Sequence, residues 1–429
     1  CPVYAIGGWT DGYTNAIPRL LANLRVPRQA LIGPWAHAYP HFAQPGPQGG
    51  FLAEALAWWD RWLKGRTEPP SPPPLRAWMM DSVRPAPYHA ERPGRWIAEE
   101  SWPPPTTAHR FHLVDGALAA APGAPREVPI RSPQQLGATG GNWCPFGAAP
   151  DDAEDQQEDD RLSAVWDSPP LDRRIEILGA PELCVTVAAD APAAHLIARL
   201  CDVHPDGASL RVSYGVLNLA HRDGHDAPAP LQPGRRYRVR LRLNDAAFAF
   251  PPGHRIRLAL STAYWPIVWP AASPATVTIA EGNLTLPVRA SRAADATTVV
   301  APPETAPPEP RTVLRPGASL RERGRDIGTG EHFWRAVETP SLTRLDAIGT
   351  EIGMESRTEH RVREDDPLSA RMEITRRQTL VRAGIETRME LHATLTADAE
   401  NFHVQARLEA READALACCR KWNVRIPHP

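Results

Sequence analysis

Lysine is almost missing from this chain: of 48 Lys and Arg residues, only Lys64 and Lys421 are not arginine. We read that bias as codon usage, without functional content. No charge sign dominates, because 50 Asp and Glu leave a formal net charge of −2. A phosphate-binding surface needs a basic excess, so nucleic acid is excluded as the main partner. Cysteine is sparse, with Cys1, Cys144, Cys184, Cys201, Cys418 and Cys419 showing no CxxC spacing. That argues against a zinc ribbon or a disulfide framework and suits a reducing, cytoplasmic setting. No apolar run approaches the roughly 18 residues of a membrane span, so no membrane partner is expected. No initiator Met is present either: the chain opens Cys1-Pro2-Val3 straight into an apolar run, which reads as processing or as a piece of a longer protein. What is abundant is proline, 48 in 429 residues, and that excludes an all-helical protein. The length itself implies two to four domains.

Residues 3–8 (VYAIGG) read as a short buried strand, followed by the turn Thr10-Asp11-Gly12. Ile17, Leu20, Leu21 and Leu24 recur with helical spacing, and residues 30–33 (ALIG) form a second strand. Strand, helix, strand implies a parallel pair joined by a right-handed crossover. A helix is predicted over 51–63, with Trp58, Trp59 and Trp62 as core packing against the sheet and Gly65 beyond its end. The stretch 68–74 (EPPSPPP) marks a stiff linker and a domain boundary, as does 301–310 (APPETAPPEP). Between them, short Val/Leu/Ile runs alternate with Gly, Pro, Asp and Asn turns. In YRVRLRL (237–243), Tyr237, Val239, Leu241 and Leu243 take one face and arginines the other. Such strands without helical periods indicate a β-sandwich, with 151–160 as a solvated acidic loop. Residues 385–395 and 402–408 read as an antiparallel hairpin in a further β-rich region.

The chemistry centres on two motifs. GGWTDG (7–12) puts Asp11 just after the first strand, and GPWAH (33–37) puts His37 just after the second. Loops at the carboxyl ends of parallel strands share one rim of the sheet, where ligands bind in open α/β folds. Neighbouring strands lie roughly 4.8 Å apart, so the two side chains can hydrogen-bond. A carboxylate on imidazole Nδ1 fixes the tautomer and frees Nε2 as a general base. The nucleophile is missing: no G-x-S-x-G elbow occurs, and Ser213 reads as a strand residue. Taken singly, Asp11 is a common Asp-Gly turn residue and His37 a loop histidine; their order after paired strands favours the catalytic reading. His41 is read as a surface-loop residue, and His221, Asp223, His225 and Asp226 as solvated loop chemistry, not metal ligands. Trp9 and Trp35 are candidates for lining a substrate pocket, with packing as the equal alternative.

GGW-x-D, GPW-x-H, WWDRWLKG (58–65) and the strand-rich segments LCDVHPDGASLRVSYGVLNLAHR (200–222), PLQPGRRYRV (230–239) and FPPGHRIRLAL (250–260) together resemble the family of X-prolyl dipeptidyl-peptidases, cocaine esterase and α-amino-acid ester hydrolases. The resemblance implies an α/β plus all-β chain: a C-terminal piece of an α/β-hydrolase domain (1–70), a jelly-roll β-sandwich (75–295) and a β-rich antiparallel extension (301–429). It implies a serine hydrolase acting on esters, amides or X-Pro peptides, with Asp11 and His37 as acid and base of a triad. The serine, the oxyanion hole and the remaining N-terminal hydrolase segment would precede Cys1, so the isolated chain is expected to be inactive. No metal or organic cofactor is needed. The first seventy residues should then expose an unpaired strand edge and an apolar face. The alternative is a non-catalytic binding module with a vestigial α/β piece.

Overall fold

The computed structural model describes residues 1–68, 72–124, 126–147 and 150–428, so part of the first Pro-rich stretch, 69–71, lies outside the described residues. Strands dominate and form two sheets, one of 16 strands and one of nine among the described residues. The chain starts with β1 (Val3–Gly8), α1 (Ala16–Asn23), β2 (Arg28–Gly33), α2 (Leu52–Lys64), β3 (Leu75–Asp81) and β4 (Gly94–Glu99). β1 and β2 pair in parallel from Val3↔Arg28 to Gly8↔Gly33, the crossover being α1, which buries Ile17, Pro18 and Leu21. β3 adds to β2 in parallel and β4 pairs antiparallel with β3, so the sheet continues past the Pro-rich stretch. β1 is the outer strand of this run. No helix among the described residues is long and apolar enough to cross a membrane.

Glycines at the ends of β1 and β2 follow from a close approach. A Cβ on Gly8 would lie 1.8 Å from the Trp35 carbonyl oxygen, and one on Gly33 would lie 2.2 Å from the Trp35 ring. Trp35 lies across both strand ends, and only residues without side chains fit beneath it.

The tryptophans of α2 depart from expectation. The helix has no buried residue; Trp59 is 56% exposed, Trp62 40% and Leu63 73%. It is held to the sheet mainly by polar links: Tyr4 donates to Glu54 at 2.6 Å, Arg76 pairs with Glu54 at 2.5 Å, and the Tyr4 and Trp58 rings sit 5.6 Å apart. Periodicity identified an apolar stripe, but no layer of the described chain lies over it.

Beyond β4 the strands pair antiparallel, apart from short parallel contacts. The strand Arg236–Arg242 buries Val239 and Leu241 and exposes Arg238 and Arg240, as its alternation predicts, and pairs with Glu182–Ala189. The stretch 151–160 is not a solvated loop. Asp151, Asp159 and Asp160 are buried, and residues Gln157–Arg161 form a short helix. Asp160 pairs with buried Arg199 and with Arg257, both at 3.0 Å, while Asp159 accepts from Gly137 N–H and the Thr139 hydroxyl. Acidic residues enter the interior here because guanidinium groups on distant strands meet them.

The second Pro-rich stretch is not a free spacer. Gly50 N–H donates to the Ala301 carbonyl, and the Glu304 carboxylate accepts from Leu52 and Ala53 N–H, capping α2. The remaining strands, from Arg311–Arg315 to Ala415–Pro427, make the nine-stranded antiparallel sheet and include the hairpin Ile385–Ala397 with Asn401–Glu412. Val362 and Ala370 pack on Trp265 and Trp269, in the loop between the strands Arg255–Ser261 and Val277–Val288, and Arg323 reaches Glu154 and Glu158. Within this sheet, burial pushes the Glu359 carboxyl up, but Arg335, Arg357 and Arg361 outweigh it and hold the group at about 2. A depressed carboxylate stabilises the fold above its unfolded pKa of about 4.3, and that contribution fades as pH falls toward the folded value. Wild type should therefore out-melt Glu359→Gln at pH 6, with the gap closing between pH 4.5 and 2. A gap independent of pH in paired thermal melts would refute this.

Candidate active site

The loop after β1 is built by hydrogen bonds within itself and across to β2. Trp9 N–H donates to the Gly33 carbonyl at 2.9 Å, the Thr10 hydroxyl to the Pro34 carbonyl at 2.8 Å, and Tyr13 N–H to Asp11 Oδ1 at 3.0 Å. These contacts tie the loop to the end of β2 and orient the Asp11 carboxylate. His37 follows β2, and its N–H donates to the Pro145 carbonyl at 2.9 Å. The two side chains meet: His37 Nδ1 lies 3.1 Å from Asp11 Oδ2 and 3.2 Å from Oδ1. With the proton on Nδ1, His37 donates to the carboxylate and leaves Nε2 as a lone-pair acceptor. Asp11 is largely covered, while the imidazole is 44% exposed and faces an open cavity.

That cavity is about 1040 Å³ and is lined by Asp11, His37, Tyr4, Phe42, Trp59 and Phe146, among others. Its walls are mostly apolar, the usual setting for a small organic substrate. Trp9 and Trp35 do not line it. Trp35 is fully buried, packs on Trp96 and donates to the Pro47 carbonyl; Trp9 is buried, donates to the Trp78 carbonyl and borders a smaller cavity behind Asp11. Ser213 is a strand residue whose hydroxyl donates to the Asn244 carbonyl. His221 and His225 lie together in an exposed turn.

Three contributors were not legible in the sequence. The loop around Cys144 comes from the strand-rich region, more than a hundred residues downstream. Cys144 Sγ lies 3.9 Å from Asp11 Oδ1, and the Phe146 ring stands edge-on to His37 at 5.3 Å between centroids. Tyr13 flanks the imidazole on another side at 5.4 Å. Burial, and then the Asp11 charge, push the Cys144 thiol up against a Gly12 backbone hydrogen bond. The group is therefore a neutral S–H at neutral pH and not an activated nucleophile. Asp11, His37 and Cys144 also offer three potential metal-ligand atoms within 4.8 Å of one another. No local pattern marks Cys144, because only tertiary packing brings it here.

Residues 70–303 match the family model described as the X-Pro dipeptidyl-peptidase C-terminal non-catalytic domain. Among curated proteins, the chain is 26% identical over 300 residues to a candidate serine esterase of Mycobacterium bovis, covering 61% of this chain and 45% of that one. It is 23% identical over 292 residues to the cocaine esterase of a Rhodococcus species, covering 62% and 49%. The chain thus spans about half the length of these relatives. Among solved structures, an aminopeptidase from a marine sediment Thaumarchaeota archaeon superposes with a TM-score of 0.51 at 18% identity, over 67% of this chain and 55% of that one. A CocE/NonD family hydrolase from Staphylococcus aureus gives 0.50 at 12% identity, over 67% and 54%. By the span of its family match, the chain belongs to the family of the X-Pro dipeptidyl-peptidase C-terminal non-catalytic domain.

Proposed function

We propose that this chain carries the acid and base of a serine hydrolase that cleaves esters, amides or X-Pro peptides. The hydrogen-bonded Asp11–His37 pair at the rim of parallel strands is the observation that carries the reading. A serine attacks the substrate carbonyl; His37 Nε2 takes its proton and returns it to the leaving group; Asp11 keeps the Nδ1 proton in place and stabilises the imidazolium. The His37 side chain hydrogen-bonds to Asp11 and, among the described residues, to no hydroxyl. We place the serine and the oxyanion-hole donors in a further segment of the hydrolase, with residues 1–70 as the end of its α/β sheet. That segment would cover the exposed stripe of α2 and the free edge of β1. The strands of 75–295 are read as a jelly roll whose Phe146 loop walls the substrate cavity, and 301–429 as an extension packed on it.

The test uses the intact hydrolase and a fluorophosphonate, which labels only an activated serine. Labelling is expected in wild type and lost in His37→Ala with an unchanged melting curve. Equal labelling and turnover in both would end the assignment.

A further inference from the structure

A second cluster of chemistry-bearing side chains lies in the larger sheet, remote in sequence from Asp11 and His37. Asp202 is near the end of the strand His195–Val203, and His254 precedes the strand Arg255–Ser261. These strands pair antiparallel with Val203 opposite Arg255, so the register brings His204 and His254 side by side just past the ladder; their rings are 4.4 Å apart. Ser82 arrives from the end of β3. Three segments distant in sequence thus converge on one point.

The distances describe a cage. Asp202 Oδ1 lies 2.9 Å from His254 Nδ1, Asp202 Oδ2 lies 3.9 Å from His204 Nε2, and Ser82 Oγ lies 3.3 Å from His204 Nε2 and 2.5 Å from Asp202 Oδ2. The Val83 carbonyl is 3.1 Å from His204 Nε2. Ligand atoms about 2.0–2.1 Å from a tetrahedral zinc ion stand roughly 3.3 Å from one another. The observed separations bracket that spacing, so a cation can enter with adjustments of a few tenths of an ångström at each side chain.

Charge points the same way. The side chain of Asp202 is 0% exposed, and its charge-bearing partners among the described residues are the imidazoles of His204 and His254. Among the other buried carboxylates, Glu99, Asp160, Glu176 and Asp295 each face a guanidinium, while Asp151 and Asp159 accept, among the described residues, only from backbone N–H and hydroxyl donors. A buried anion without a fixed cation is costly, and a divalent ion removes that cost. The two imidazoles are only 11% and 13% exposed, which leaves a short path to solvent.

We propose that Asp202, His204 and His254, with the Ser82 hydroxyl as fourth donor, form a binding site for a divalent zinc-class cation. Two imidazoles, a carboxylate and a hydroxyl are a borderline donor set that favours zinc over calcium or magnesium. Without metal, His204 Nε2–H donates to the Val83 carbonyl and His254 Nδ1–H to Asp202; the ion displaces these protons, and each imidazole then keeps its proton on the other ring nitrogen. Bound there, the ion clips the end of β3 to two strands of the larger sheet, a structural role separate from the Asp11–His37 chemistry.

The test takes the full chain, stripped with a chelator and then titrated with zinc at micromolar concentration. Elemental analysis after gel filtration should find one zinc per chain, and the metal should raise the melting temperature. His204→Gln, which keeps a donor for the Val83 carbonyl, should lose both the zinc and the shift while its metal-free melt matches wild type. Ser82→Ala should weaken binding and serves as the second variant should His204→Gln fold poorly. The His37→Ala chain should keep its zinc. The proposal fails if wild type takes up no zinc, if the His204 and Ser82 variants retain it at wild-type affinity, or if His37→Ala is the variant that loses it.

Discussion

On the proposed serine-hydrolase mechanism, Asp11→Asn is expected to lower kcat by roughly 10⁴-fold with little change in KM. An amide at this position offers a donor as well as an acceptor. It stabilises the tautomer with the proton on Nε2, where the base must be free, and it supplies no charge to the imidazolium. His37→Ala removes the base altogether and should cost at least as much, while the double variant should be no worse than His37→Ala alone, since the pair acts as a unit. Steady-state kinetics on a simple ester decides the matter: a loss below tenfold in Asp11→Asn, or an additive double variant, would mean that the 3.1 Å contact is structural.

Replacing Arg289 by alanine should destabilise the fold by about 3–5 kcal/mol, the cost of breaking a buried pair from one side. Its guanidinium is completely buried, 2.6 Å from Glu99 and 2.7 and 2.8 Å from the two oxygens of Asp295. Burial pushes the Asp295 carboxyl up, but Arg289 outweighs it and holds the group below its ordinary value. Truncation leaves Glu99 with Arg292 and Asp295 with Arg95, both partners partly exposed. The sign with pH follows. A depressed carboxylate stabilises above its unfolded pKa and stops doing so as pH falls through the folded one, so the penalty of Arg289→Ala should shrink in acid. A triple change, Arg289→Met with Glu99→Gln and Asp295→Asn, should recover part of the loss at neutral pH, because it removes the three buried charges together. Thermal melts that show Arg289→Ala within a degree of wild type would contradict the assigned network.

The sequence alone determined the local elements and the catalytic candidates. Apolar period reported β1, α1 and β2, and alternation reported strands such as Arg236–Arg242, because these signals depend on which side of a short segment is buried. Asp11 and His37 were legible for a related reason: each immediately follows a strand, and a parallel crossover of this length makes the two strands neighbours. The tertiary structure alone decided everything that depends on partners distant along the chain. Periodicity marks an apolar stripe on α2 but cannot say whether anything covers it, so Trp59 and Trp62 were assigned to a core they do not join. Composition marked 151–160 as acidic and hence solvated, whereas Arg199 and Arg257 draw Asp160 inside. Cys144 and Phe146 at the imidazole, Glu304 at the start of α2, and the convergence of Ser82, Asp202, His204 and His254 have no local signature. Burial and charge compensation are properties of contacts across the sheet, and a linear pattern records only a residue's neighbours along the chain.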